Sequence, residues 1–133
     1  TLAALAAPII LEQKPGLVVA AIDAGHGSAY FAAFGNDGRA VLMPRLATIG
    51  ETVRALGAGP VRLVGSAAPM LAIEAWSAGL AAEVVGDLVP DILFVARLGL
   101  LADPRSSPAR PLYLKAPDAK PQDGGHVPLA PQA

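Results

Sequence analysis

The chain has 133 residues, the size of a single domain, and 10 Lys+Arg against 11 Asp+Glu leave a net charge of -1, which is no footprint for direct nucleic-acid binding. Apolar residues make up 53% and charged residues 16%, which excludes disorder over most of the length, and no run of about 18 apolar residues exists to span a bilayer. With 28 Ala and no Cys, the core is built from small and aliphatic side chains, and disulfides, thiolate metal sites and Cys nucleophiles are excluded.

In chain order, Thr1 to Ala7 reads as a helix with Leu2, Leu5 and Ala6 on one stripe, stopped by Pro8. The opening stretch lacks a basic leader and does not read as a signal peptide. Starting on Thr1 rather than Met, it implies a processed chain or a portion of a longer product. Glu12 to Gly16 is a turn. Leu17 to Ile22 is a continuous apolar run of the kind found in a central strand, ending in Asp23. Gly25-His26-Gly27 turns the chain. Ser28 to Phe34 alternates, with Tyr30, Ala32 and Phe34 on one face and Phe31 and Ala33 on the other. Asn36-Asp37-Gly38 tolerates positive φ and predicts a hairpin. Arg39 to Met43 is the return strand, closed by Pro44.

The period then changes. Thr48-x-x-Glu51 is a capping-box pattern, Ile49, Val53 and Leu56 form a helical stripe, and Gly57 terminates it. Val61 to Val64 is a short strand. Ser66 is expected to cap a helix with Pro69 in its first turn and Leu71, Ala72, Ala75 and Trp76 on its apolar face. Ala82 to Val85 is another strand. Pro90-Asp91 opens a last helix that is apolar almost all round, broken only by Arg97, and is therefore expected to be core by default or else to cover a neighbouring lobe or subunit. Seven of the 13 prolines lie at or after Pro104, where the chain becomes a Pro-rich segment and tail around the apolar island Pro111 to Lys115.

Three divisions follow: residues 1-16 as a helix and connection, 17-102 as the folded lobe, and 103-133 as the Pro-rich segment. A meander of three strands followed by alternating helices and strands predicts an α/β lobe. Its five-stranded mixed sheet has order 3-2-1-4-5 and elements βββαβαβα, with right-handed crossovers. That is the ribonuclease-H-like arrangement, the unit of one lobe of the actin-like ATPases.

Several residue sets bear on chemistry. Asp23-x-Gly25-x-Gly27-Ser28 follows a strand, and such glycine-rich hairpins let backbone N–H groups approach phosphate. The candidate nucleotide-binding set is therefore Asp23, Gly25, Gly27 and Ser28; the alternative is a turn in which Asp23 bonds its own backbone. A two-metal nuclease would need more carboxylates than Asp23 and Glu51, and Glu51 is already explained by its cap. His26 and His126 lack metal-ligand spacing, so no metal site is expected. Neither Ser28 nor Ser66 lies in Gly-x-Ser-x-Gly. No catalytic residue is assigned.

Three stretches together resemble the TsaB family, the glycoprotease-like proteins of transfer-RNA threonylcarbamoyladenosine biosynthesis. Asp23, Ala24, Gly27 and Tyr30 match its Asp-Ala-Arg-Arg-Gly-Glu-Val-Tyr string. Pro111, Tyr113, Leu114 and Pro117 match its closing Pro-x-Tyr-Leu-Arg-x-Pro. Thr1 to Ala6 resembles the helix at the junction of its two lobes. Gly25 and His26 stand where the family has paired Arg, and the first lobe has no counterpart. The resemblance implies a C-terminal lobe fragment of a cytoplasmic, non-catalytic scaffold without a cofactor. It also implies TsaD-like and TsaE-like partners, with transfer RNA reached only through their complex. In the family, first-lobe helices make the main partner contact, so a lone second lobe is expected to fold yet bind weakly. Nucleotide binding at the Asp23 hairpin, glycopeptidase activity suggested by older family names, and self-association into a homodimer stand as alternatives.

Overall fold

The computed structural model describes residues 1–116. Nine elements follow one another: α1 (Leu2–Leu11), β1 (Leu17–Gly25), β2 (Ser28–Phe34), β3 (Ala40–Thr48), α2 (Ile49–Ala55), β4 (Val61–Val64), α3 (Ala68–Ser77), β5 (Ala82–Val84) and α4 (Ile92–Leu101). The strands form one five-stranded sheet in the order β3-β2-β1-β4-β5. The β1–β2–β3 meander is antiparallel, whereas β1, β4 and β5 run parallel. The mixed α/β sheet and its strand order are thus as the pattern predicts.

Strand periodicity divides the core into two layers. Val19, Ala21, Phe31, Ala33 and Leu63 point to one face, under Val53 and Leu56 from the α2 end and Leu71, Ala72 and Ala75 of α3. Val18, Ala20, Ala32, Phe34 and Val64 point to the other, under Leu2, Leu5, Ala6 and Ile9 of α1. Small Ala side chains in the middle of β1 and β2 let the helices approach closely. The division at residue 16 therefore separates α1 from the sheet that it covers.

Two prolines behave differently from expectation. Pro8 lies inside α1, which continues to Leu11. An interior proline costs about 3 kcal/mol, but the stripe Leu2-Leu5-Ala6-Ile9 spans it, and burying Ile9 returns about 1.5–3 kcal/mol. The Arg62 guanidinium adds to this, Nη1 donating to the Ile9 carbonyl at 3.0 Å. Likewise Pro44 does not close its strand; β3 runs on to Thr48. Phe31 pairs with Arg45 and Ala33 with Leu42, so Met43 and Pro44 together oppose Ala32 in a bulge. On an edge strand such a bulge accepts a residue without an N–H.

The last helix departs furthest. None of its residues is buried: Ile92 is 77% exposed, Leu100 86% and Leu101 84%. Both sheet faces are already covered, and α4 rests beside α1. Its start does follow expectation, with Asp91 Oδ1 accepting from the Leu93 N–H at 2.8 Å. No helix among the described residues is long and apolar enough to cross a membrane.

Candidate functional site

The parallel strands β1 and β4 end side by side, which brings together two residues far apart in sequence. The Asp23 N–H donates to Ser66 Oγ at 3.0 Å. Ser66 is therefore not the cap of α3; the residue before that helix is Ala67, with no side-chain cap. The reason is Gly65, whose φ of +103° turns the chain sharply after β4 and aims the next side chain back at β1. A Cβ on Gly65 would overlap the Ala21 carbonyl oxygen. That same oxygen accepts from the Ala67 N–H at 3.2 Å.

Beyond Asp23 the chain forms a tight hairpin. His26 (φ +52°) and Gly27 (φ +72°) are both left-handed, the signature of a two-residue type I′ turn. Ala24 is the extra residue at a register shift between Asp23 and Gly25. Asp23 Oδ1 accepts from the Gly25 N–H at 2.8 Å, so the aspartate bonds its own backbone. The Gly27 carbonyl accepts from the Ile49 N–H at 2.9 Å, tying the hairpin to α2. Ser28 is half-buried and pairs with Thr48 across the sheet. His26 is exposed at the tip. Two loop donors, at Asp23 and Gly25, are thus already engaged, and a phosphate here would meet the Asp23 carboxylate.

At α2 the capping box forms in full. Glu51 Oε2 accepts from the Thr48 N–H at 2.9 Å and from Thr48 Oγ1 at 2.8 Å, while Thr48 Oγ1 accepts from the Glu51 N–H at 3.3 Å. These bonds to Thr48 hold the Glu51 carboxyl below the ordinary carboxylate range, with the Arg54 charge adding to the effect. Among the described residues, no three His, Asp or Glu are grouped as a metal site.

Parts of the stretches that carry the family resemblance meet elsewhere. A groove of about 740 Å³ is lined by Thr1, Leu2 and Ala3 from the start of α1, by Tyr30 from β2, and by Pro111, Leu112, Tyr113, Leu114 and Lys115 from the closing segment. Ile22, Phe34, Ala40, Met43, Pro44 and Arg110 complete the lining. Tyr30 is half-buried, whereas Leu112 and Tyr113 are 70% and 82% exposed. Asp23, Ala24 and Gly27 lie outside this lining; Pro117 and His126 lie outside the described residues.

One structural contributor, Arg62, stands outside the sequence patterns. Arg62 is only 5% exposed in the middle of β4. Its Nη1 lies 3.5 Å from Glu12 and its Nη2 donates to the Lys14 carbonyl at 2.9 Å. It thereby fixes the end of α1 and the following turn to the sheet. A charge inside Val-Arg-Leu-Val was the available signal. Trp76, expected in the core, is 58% exposed, with Nε1 donating to the Ala82 carbonyl at 2.9 Å. The indole thereby ties α3 to the start of β5 from outside.

No protein-family model matches the chain, and no curated protein matches it.

Proposed function

We propose that the chain is the C-terminal lobe of a TsaB-like protein, with the ribonuclease-H-like fold of one actin-like ATPase lobe. In this reading it is a non-catalytic, cytoplasmic scaffold for a TsaD-like threonylcarbamoyltransferase and its TsaE-like ATPase. One observation carries the reading. Thr1 to Ala3, Tyr30 and Pro111 to Lys115, drawn from the three stretches that resemble the family, line a single groove although more than a hundred positions separate the first from the last. Of the matched residues, Tyr30, Pro111, Tyr113 and Leu114 line it, and Asp23, Ala24 and Gly27 do not. The strand order 3-2-1-4-5 is compatible with the same reading.

The test is co-elution with a purified TsaD-like protein. The 133-residue chain would be compared with the same chain joined to a TsaB-family first lobe. The joined form is expected to co-elute and the chain alone to bind weakly. Tyr30→Ala in the joined form is expected to weaken formation of the modified nucleoside. Absence of binding by both forms would remove the scaffold reading. A saturable Mg-ATP titration lost in Gly25→Val would favour a nucleotide-binding lobe instead.

A further inference from the structure

We propose that the groove beside Tyr30 binds a small apolar carboxylate, its hydrocarbon body against Leu2, Ile22, Phe34 and Met43 and its carboxylate toward Arg110 and the Tyr30 hydroxyl. This assignment does not depend on the scaffold reading.

The volume comes first. At about 740 Å³ the groove falls within the range of small-molecule sites, about 300–1,000 Å³. Its walls are largely aliphatic and aromatic, so water inside it is poorly held and an apolar occupant gains by displacing it.

Charge then selects the head group. Arg110 and Lys115 are among the described residues that line the groove, and none of those described residues is Asp or Glu. In a chain whose net charge is -1, the Arg110 guanidinium is a local positive charge on this lining. Among the described residues, neither the Arg110 guanidinium nor the Tyr30 hydroxyl has a hydrogen-bond or ion-pair partner. A guanidinium and a phenol are complementary donors for a carboxylate, and charge-assisted bonds of this kind are the strong ones. Inorganic phosphate would satisfy the cation but leave the apolar walls wet.

Strand geometry argues against an extended peptide. The groove reaches the free edge of the sheet at Ala40 and Met43, where a peptide strand could otherwise be added. Pro44 supplies no N–H there, and the bulge at Met43–Pro44 together with a second register shift between Ala33 and Phe34 twists the edge. Both features are known ways of blocking strand addition.

The experiment is isothermal titration of the full chain with decanoate, 1-decanol and decyltrimethylammonium, which share a tail and differ in head charge. Decanoate is expected to bind saturably with one site, at least tenfold more tightly than either analogue. Arg110→Gln should weaken decanoate at least fivefold and leave decanol unchanged, a difference that a folding defect would not produce. Ala3→Trp, at an exposed position of the lining, should fill the groove and abolish binding. If its melting curve shows misfolding, Met43→Trp at a 69%-exposed position replaces it. Leu100→Ser, on the exposed apolar helix α4, should change nothing. The proposal is overturned by no saturable decanoate binding, by equal affinity for decanol or the cationic analogue, by Arg110→Gln having no effect, or by loss of binding in Leu100→Ser. None of these results bears on co-elution with a TsaD-like protein, so the two readings fail separately.

Discussion

Replacing Gly65 with Ala should be among the most damaging single-methyl changes in this chain. Two effects combine there. The φ of +103° is a conformation that a residue with a Cβ adopts at a cost of about 1–3 kcal/mol. The added methyl would also overlap the Ala21 carbonyl oxygen and stand 3.2 Å from Leu5 Cδ1, and overpacking of this kind costs about 1–3 kcal/mol. The expected loss is therefore about 2–6 kcal/mol, a large fraction of the ordinary stability of about 5–15 kcal/mol. Gly25→Ala is the control. Gly25 also has positive φ, +76°, but nothing lies within 4 Å of a Cβ built on it, so only the conformational cost of about 1–2 kcal/mol applies. For a chain of this size 1 kcal/mol moves Tm by about 4 °C. Thermal denaturation followed by circular dichroism should then show a fall of roughly 8–24 °C for Gly65→Ala, larger than the roughly 4–8 °C for Gly25→Ala. Equal falls would refute the close approach of β4 to Ala21 on which the placement of Ser66 rests.

Three further predictions probe the contacts around the site and the core. Arg62→Met removes charge-assisted bonds to the Ile9 and Lys14 carbonyls and should cost about 2–3 kcal/mol in urea denaturation; a loss under 0.5 kcal/mol would show that α1 does not depend on the guanidinium. The Glu51 carboxyl titrates below its usual 4.5 when folded, so its stabilisation is fully present above that value and is lost as pH falls through the lower folded value. The gap in urea midpoint between wild type and Glu51→Gln should accordingly be wide at pH 7 and narrow toward pH 3, and a pH-independent gap would contradict the assignment. Ser66→Ala should accelerate amide exchange at Asp23 while sparing the first turn of α3, whereas faster exchange in α3 would restore the capping role.

Legibility from sequence followed the range of the interactions. The capping box at Thr48 and Glu51 was readable because both partners lie within three residues, and the Gly25-His26-Gly27 turn because its glycines are a local signal. Strand order followed from the change of period after β3, combined with the general handedness of crossovers. What escaped prediction was settled by distant contacts. Pro8 reads as a helix stop until Ile9 is seen buried against Val18, Ala20 and Val64. Ser66 reads as a cap until Gly65 turns it toward Asp23. The apolar α4 reads as core, since hydrophobicity alone does not tell that α1, α2 and α3 have already covered both sheet faces. The groove was the least legible feature. Tyr30 and Pro111 to Lys115 could be marked as motif residues, but their meeting depends on how the closing segment returns across the start of α1.

A ligand needs polar groups that the fold has not already used, and this criterion separates the groove from the glycine-rich hairpin. At the β1–β4 ends the fold consumes its own donors: the Asp23 N–H goes to Ser66 and the Gly25 N–H to the Asp23 carboxylate. The carboxylate also puts negative charge where a phosphate would need to approach. Side chains that satisfy a turn in this way stabilise the hairpin while using two of the N–H groups an anion would need. The groove is the converse case. Its floor is apolar and in place, while the Arg110 guanidinium and the Tyr30 hydroxyl are left unmatched among the described residues. Exposed donors cost little while hydrated, but they gain strength once an apolar body displaces the water around them. Binding capacity in this chain is therefore expected at the groove built by the closing segment, and the glycine-rich hairpin is expected to act as a structural turn.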